Sequence, residues 1–207
     1  MMRSFSSIVM FIILIFIGGC KVEERHYEPK SGDIIFHKSH SEQSEAITLA
    51  TGSNLSHVGI VYIDSSGYYV LEAIGKVTLT PLTDWINKGD GMMYAVKRLK
   101  GGTDILEGSS EKLLQAGKSY IGIPYDIYFG WSDDKMYCSE LVYKVFDKGA
   151  GIKIAELQKM KDFDLTNPVV KELLQKRYGS EVPLEETVIS PKAIFDSPML
   201  ETVYSDF

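Results

Sequence analysis

The sequence predicts an α+β domain with a small antiparallel sheet packed against helices, and three observations predict it. The 207 residues are 44% hydrophobic and 24% charged, which is enough apolar side chain for one packed core and too much for a disordered chain. His57 to Ile63 and Tyr68 to Ala73 are β-rich runs separated by the turn cluster Asp64 to Gly67, the pattern of a hairpin. Cys138 to Lys148 carries Leu141, Val142, Val145 and Phe146 at helical spacing, the pattern of a helix with one buried face. No internal repeat and no internal domain boundary is evident.

The elements follow in order. Asp33 to His37 reads as a short strand. Ser39 with Glu42 has the spacing of a capping box and opens a helix through Ala46, Ile47 and Ala50 that stops at Gly52. The hairpin comes next, then strand candidates at Val77 to Leu79 and Met92 to Leu99, with a short helix at Thr83 to Asn87 between them. Ile105 to Tyr120 is a helix with Ile105, Leu113, Ala116 and Tyr120 on one side, broken at Gly122-Ile123-Pro124-Tyr125. Gly149 is expected to end the Cys138 helix. Pro168 suits the first turn of a helix that reaches Arg177 and ends at Gly179. Ser190-Pro191 starts a last short helical turn.

The formal net charge of -6 disfavours a nucleic-acid-binding surface. Two cysteines, with no C-x-x-C pair, exclude a disulfide scaffold and a zinc ribbon. At the N-terminus, Arg3 precedes an uninterrupted apolar run, Ile8 to Ile17, which is too short for a relaxed membrane span and has the size of a signal-peptide core. Gly18 and Gly19 then precede Cys20, and Ile-Gly-Gly-Cys resembles the lipobox of bacterial lipoproteins. That resemblance implies that Cys20 is lipidated after cleavage. It divides the chain into a signal peptide (1–20), a polar tether (21–30) and a folded domain (31–207). It also implies an exported protein held at the cell envelope, since two or more acyl chains give stable anchoring.

Cys138 lies at the expected N-terminus of a helix, where unpaired N–H groups and the helix dipole favour a thiolate. A thiolate nucleophile needs a base. Of the four histidines, His57 is singled out by the hairpin. If Asp64 to Gly67 closes the loop with Ile63 opposite Tyr68, Gly59 falls opposite Glu72. His57 and Glu72 then share a face as diagonal neighbours. Glu72 would orient one ring nitrogen while the other faces Cys138, and Gly59 would leave room for the carboxylate. A three-residue loop would reverse the parity. His37 and His40 are spaced as a ligand pair, but no third ligand follows at suitable spacing, so no metal is expected. Taken singly, each of these residues also has a structural use, as core cysteine, strand-end histidine or solvent-facing glutamate.

Several stretches together resemble the NlpC-type papain-like cysteine peptidases. Gly122, Pro124 and Tyr125, followed by Cys138-Ser139-Glu140-Leu141-Val142-Tyr143, are similar to that superfamily's cysteine block. Lys30-Ser31-Gly32-Asp33-Ile34-Ile35-Phe36, Ser56-His57-Val58-Gly59-Ile60 and Val70-Leu71-Glu72-Ala73 are similar to its strands. The histidine block precedes the cysteine block here, as in the circularly permuted YiiX-like branch, and Ile189-Ser190-Pro191 fits that branch too. The resemblance implies a permuted papain-like fold and a cysteine hydrolase acting on an amide or ester without a cofactor. In it Cys138 is the nucleophile, His57 the general base and Glu72 the orienting residue. Tyr125 would help bind substrate or the oxyanion. Tyr137 and Glu140 depart from the superfamily's usual aspartate and glycine, and Glu72 stands where a histidine is commoner.

Three functions from different classes fit these residues: a peptidase or amidase on cell-wall peptides, a lipid-directed amidase or acyltransferase, and a non-catalytic ligand-binding lipoprotein. A polar groove with a clamp for charged termini would favour the first. A deep apolar slot would favour the second, as would the aromatic stretch Tyr120, Tyr125, Tyr128, Phe129 and Trp131. A Cys138–His57 separation too long for proton transfer would favour the third.

Overall fold

The computed structural model describes residues 27–101 and 110–207. Cys20, the expected signal peptide, most of the expected tether and Ile105 lie outside the described residues. In chain order the elements are β1 (Ile34–His37), α1 (Glu42–Thr51), β2 (His57–Asp64), β3 (Gly67–Ile74), β4 (Lys76–Pro81), α2 (Leu82–Asn87) and β5 (Ala95–Leu99). Then follow α3 (Ser110–Lys118), α4 (Cys138–Ala150), β6 (Gln158–Lys159), α5 (Pro168–Tyr178), β7 (Thr187–Val188), α6 (Pro191–Phe195) and β8 (Leu200–Ser205).

Six strands form one antiparallel sheet in the order β4-β3-β2-β1-β5-β8, and β6 pairs with β7 in a separate ribbon. Side chains alternate along each strand, so the two faces bury different residues. One face sets Ile34, Phe36, Val58 and Ile60 against Leu141, Val142, Val145 and Phe146 of α4. The other sets Ile35, Val61, Val70 and Val96 around Trp85 of α2, which is fully buried. Among the described residues no helix is long and apolar enough to cross a membrane.

The hairpin closes more tightly than expected, because Asp64 pairs directly with Gly67 across a two-residue turn. Parity is unaffected: Ile63 stands opposite Tyr68 and Ile60 opposite Leu71, so continuing the register sets Gly59 beside Glu72. A Cβ on Gly59 would lie 2.4 Å from Val70 Cγ1 and 2.9 Å from Leu71 O, so only glycine lets the strands approach there.

Three boundaries differ from expectation, and one strand is added. Ser41, not Ser39, caps α1, its side chain accepting from Ser44 N–H. The Ser39 backbone N–H is instead taken up by Ser56 Oγ at 3.0 Å. Gly149 lies inside α4 rather than ending it, because α3 crosses so closely that a Cβ there would meet Leu113 Cα at 2.8 Å. Gly151, left-handed at φ 68°, is the true cap. The fifth strand begins at Ala95, not Met92, and β8 extends the sheet beyond it.

Asp33 anchors the start of the domain. Arg98 of β5 donates to it twice, Nε to Oδ1 at 2.6 Å and Nη2 to Oδ2 at 2.8 Å. Tyr27 Oη–H and the Lys30 N–H donate to the same carboxylate. The Gly32-Asp33 pair of the resemblance therefore has a structural role, and Asp33 is 1% exposed.

Candidate active site

Cys138 is the first residue of α4, and its preceding residue Tyr137 is extended, so the sulfur sits where the helix presents free N–H groups. Residues around it hold that end in place. Ser139 Oγ donates to Ile189 O at 2.8 Å, and Ile189 N–H donates to Tyr137 Oη at 3.0 Å. The Ile189-Ser190-Pro191 segment thus clasps the start of α4. Tyr137 works as that clasp. Glu140, fully buried, reaches back to the Tyr137 N–H at 3.4 Å and lies 2.8 Å from Lys144 Nζ, and Lys144 in turn holds Ser132 O and Asp133 in the preceding loop. Burial outweighs that lysine and pushes the Glu140 carboxyl up to about 7.

His57 opens β2 and reaches the same place from the sheet. Its Nε2 is 2.6 Å from Glu72 Oε2, which leaves Nδ1 for the Cys138 sulfur. Glu72, 1% exposed, has its other oxygen occupied by Thr80 Oγ1–H at 2.5 Å, with Lys88 Nζ 3.7 Å away. Burial alone would lower the His57 pKa. Hydrogen bonds and charge from Cys138 and Glu72 overcome it and raise the ring to about 9. Burial likewise works against the Glu72 carboxylate, but His57, Thr80 and Lys88 more than compensate and hold it below the usual range. The residues expected from the sequence as nucleophile, base and orienting carboxylate are together: Cys138 and Glu72 both act on the His57 ring.

Two aromatic groups fix the imidazole from behind. His37 stacks on Trp85 at 3.9 Å between ring centres, and the His37 ring lies 5.2 Å from that of His57. Burial and the neighbouring His57 charge lower the His37 pKa to about 3, so that ring is a neutral packing surface. His40 points away, 68% exposed and 3.7 Å from Asp90. The two do not form a ligand pair.

Tyr125 lies in the loop before α4, close enough for the Cys138 charge to act on its hydroxyl. Its oxygen accepts from Gln43 Nε2–H at 2.7 Å, and Gln43 Oε1 accepts from Arg177 Nη2 at 2.6 Å. Because the oxygen accepts from Gln43, its own proton is free to point elsewhere. Gln43, Arg177, Thr80 and Lys88 were not anticipated. They come from α1, α5, β4 and the segment after α2, and nothing in their local sequence marks them.

Beside Cys138 runs an apolar slot between α1 and α5. Ala46 and Ala50 of α1 and Val170 and Leu174 of α5 line it, together with Met160 and Phe129. Small residues on α1 leave the gap, and long apolar residues on α5 make it water-poor. Asp126, 5% exposed, shapes the approach by accepting from Tyr128 N–H and Gly130 N–H, which holds Phe129 between them at φ 54°.

Comparison with known proteins places this geometry. A family model for permuted papain-like amidases, the YaeF/YiiX or C92 family, matches residues 28–204. The uncharacterized protein YiiX of Escherichia coli K12 is 48% identical over 181 residues, which cover 87% of this chain and 89% of that protein. A crystal structure described as metalloprotein yiiX from Escherichia coli O157:H7 superposes with a TM-score of 0.84 at 48% identity, covering 87% of this chain and 99% of that one. The description of that relative prompts a test of metal fit here. Among the described residues no group of three or more His, Cys, Asp or Glu is arranged to hold a metal ion. The histidines near the site are committed to Glu72 and Cys138 or stacked on Trp85, so these residues do not fit one.

Proposed function

The chain belongs to the C92 family of permuted papain-like amidases, and from that footing we propose that it is a cysteine hydrolase of acyl amides or esters whose acyl chain lies in the slot beside Cys138. The observation that carries this reading is one sulfur facing two environments: an imidazole–carboxylate pair on one side and an apolar slot on the other. An apolar slot suits an acyl chain.

The steps follow from the positions. A ring raised to about 9 is protonated at neutral pH and lies beside the Cys138 sulfur, which attacks in its thiolate form. The thiolate attacks the substrate carbonyl carbon, and the carbonyl π electrons move to its oxygen. The Cys138 N–H at the helix start and the Tyr125 hydroxyl are the donors for that oxyanion. As the oxyanion collapses, the carbon–nitrogen or carbon–oxygen bond breaks and His57 Nδ1 gives its proton to the leaving group. Neutral His57 then takes a proton from water, hydroxide attacks the thioester, and the released thiolate and imidazolium restore the pair. Glu72 holds the ring orientation and stabilises its charged form throughout.

We further propose, from the lipobox at Cys20, that the enzyme is anchored in the cell envelope, which brings the slot to lipid substrates. The test of the function is a mixing experiment. Purified protein is incubated with N-dodecanoyl amide and dodecanoyl ester substrates, quenched in acid, and its intact mass recorded. A mass increase of one acyl group, lost in Cys138→Ala and hydrolysed on longer incubation, supports the reading. Product without any adduct dependence on Cys138, or no product from any acyl amide or ester, would overturn it.

A further inference from the structure

Arg177 of α5 stands where the apolar slot meets a second, more polar groove that runs past Ser41, Gln43 and Tyr128. Its guanidinium lies over the Phe129 ring at 5.2 Å, and Nη2 is used by Gln43. Its Nη1 is buried and has no hydrogen-bond partner. Among the described residues no carboxylate forms a salt bridge with it. Two neighbouring acids are already engaged: Glu42, which lines the same groove, pairs with Lys176 at 3.7 Å, and the Asp126 carboxylate is taken by the Tyr128 and Gly130 N–H groups. A half-buried cation with a free N–H is costly unless something supplies the missing anion.

We infer that Arg177 is the receptor for an anionic group carried by the substrate, a carboxylate or phosphate placed next to the bond that Cys138 attacks. The geometry gives the order of parts along such a molecule. Its acyl chain fills the slot, its carbonyl lies by Cys138 and Tyr125, and its anionic head meets Arg177 across Gln43. A guanidinium suits a two-oxygen acceptor, and this one is held over the Phe129 ring. This deepens the hydrolase reading and rests on it for the identity of the acyl chain. The anion site itself stands on Arg177 alone.

The test is direct binding to the full-length chain with Cys138→Ser, which removes turnover. Three probes are titrated calorimetrically: N-dodecanoylglycine, its neutral amide N-dodecanoylglycinamide, and dodecyl phosphate. The expected result is about tenfold or greater preference for the anionic probes over the neutral one. The stronger of the two anions identifies the headgroup class. Arg177→Gln removes the preference while leaving affinity for the neutral amide within about twofold, and Arg177→Lys, the variant that keeps the charge but not the fork, retains part of it. Equal affinity for charged and neutral probes, or a preference that survives Arg177→Gln, overturns the inference. A retained charge preference in a protein that hydrolyses no acyl amide or ester would sink the hydrolase reading and leave the anion site standing.

Discussion

His57 Nε2 and Glu72 Oε2 lie 2.6 Å apart on one face of the hairpin, and the carboxylate's second oxygen is closed off by Thr80 at 2.5 Å. One oxygen of Glu72 therefore holds the ring while Thr80 holds the other. The ring's remaining nitrogen is left for Cys138. A single buried carboxylate thus fixes the direction of the His57 ring.

Replacing that carboxylate removes the charge but keeps the shape. Glu72→Gln is expected to lower kcat by about 10²-fold to 10⁴-fold with little change in KM. The alkaline limb of the pH–rate profile should also move. In the wild type activity falls as pH rises through about 9, where His57 loses its proton; in Glu72→Gln the limb moves to lower pH. The sign is the same for stability: a histidine raised from 6.5 contributes fully below about pH 6.5 and loses that contribution as pH rises through about 9. Steady-state kinetics between pH 5 and 10 check the first two points.

The slot offers a test of substrate shape. Ala50→Phe places a ring in the gap between α1 and α5. It is expected to lower kcat/KM for dodecanoyl substrates about tenfold or more and to leave acetyl or butanoyl substrates within about twofold. A chain-length series measured on both proteins reads this directly. Loss of activity on all lengths alike would place the acyl chain elsewhere.

Glu140 predicts a pH-dependent gain. Its carboxyl is raised from 4.5 to about 7, so the folded protein favours the protonated form. That contribution is present below about pH 4.5 and is lost as pH rises through about 7. Glu140→Gln keeps the neutral shape at every pH. Its melting temperature relative to the wild type should therefore be more favourable at pH 8 than at pH 5. The same difference at both pH values would contradict the burial argument.

Asp33 carries the fold rather than the chemistry. Asp33→Ala leaves Arg98 without its two-pronged partner and frees the Tyr27 and Lys30 donors. A cost of about 3 kcal/mol is expected. Urea unfolding should show a lower midpoint with an unchanged slope. Any acyl-adduct formation by the folded fraction should match the wild type.

The legible part of this molecule is the part encoded by short-range periodicity. The period-2 runs and the turn at Asp64 to Gly67 fixed the parity, and parity alone set His57 and Glu72 on one face. The apolar stripe of α4 located Cys138 at a helix start. The alternation could not show β8, because its sequence Leu200-Glu201-Thr202-Val203-Tyr204-Ser205 lies at a sheet edge, where solvent exposure breaks the hydrophobic pattern, and its partner β5 is about a hundred residues away in the chain. Ser39 and Ser41 both offer a capping hydroxyl, and the choice was made by Ser56, which takes the Ser39 N–H across 17 positions. Arg177 was invisible for the same reason: its chemistry depends on Gln43, 134 positions earlier.

The most direct measurement is the rate at which iodoacetamide alkylates Cys138 at pH 7 in the wild type and in His57→Ala. The pairing of ring and sulfur predicts a wild-type rate at least about tenfold above that of His57→Ala, with Glu72→Gln between them. Equal rates in all three proteins would mean that the imidazole does not act on the sulfur, and the hydrolase account would be wrong.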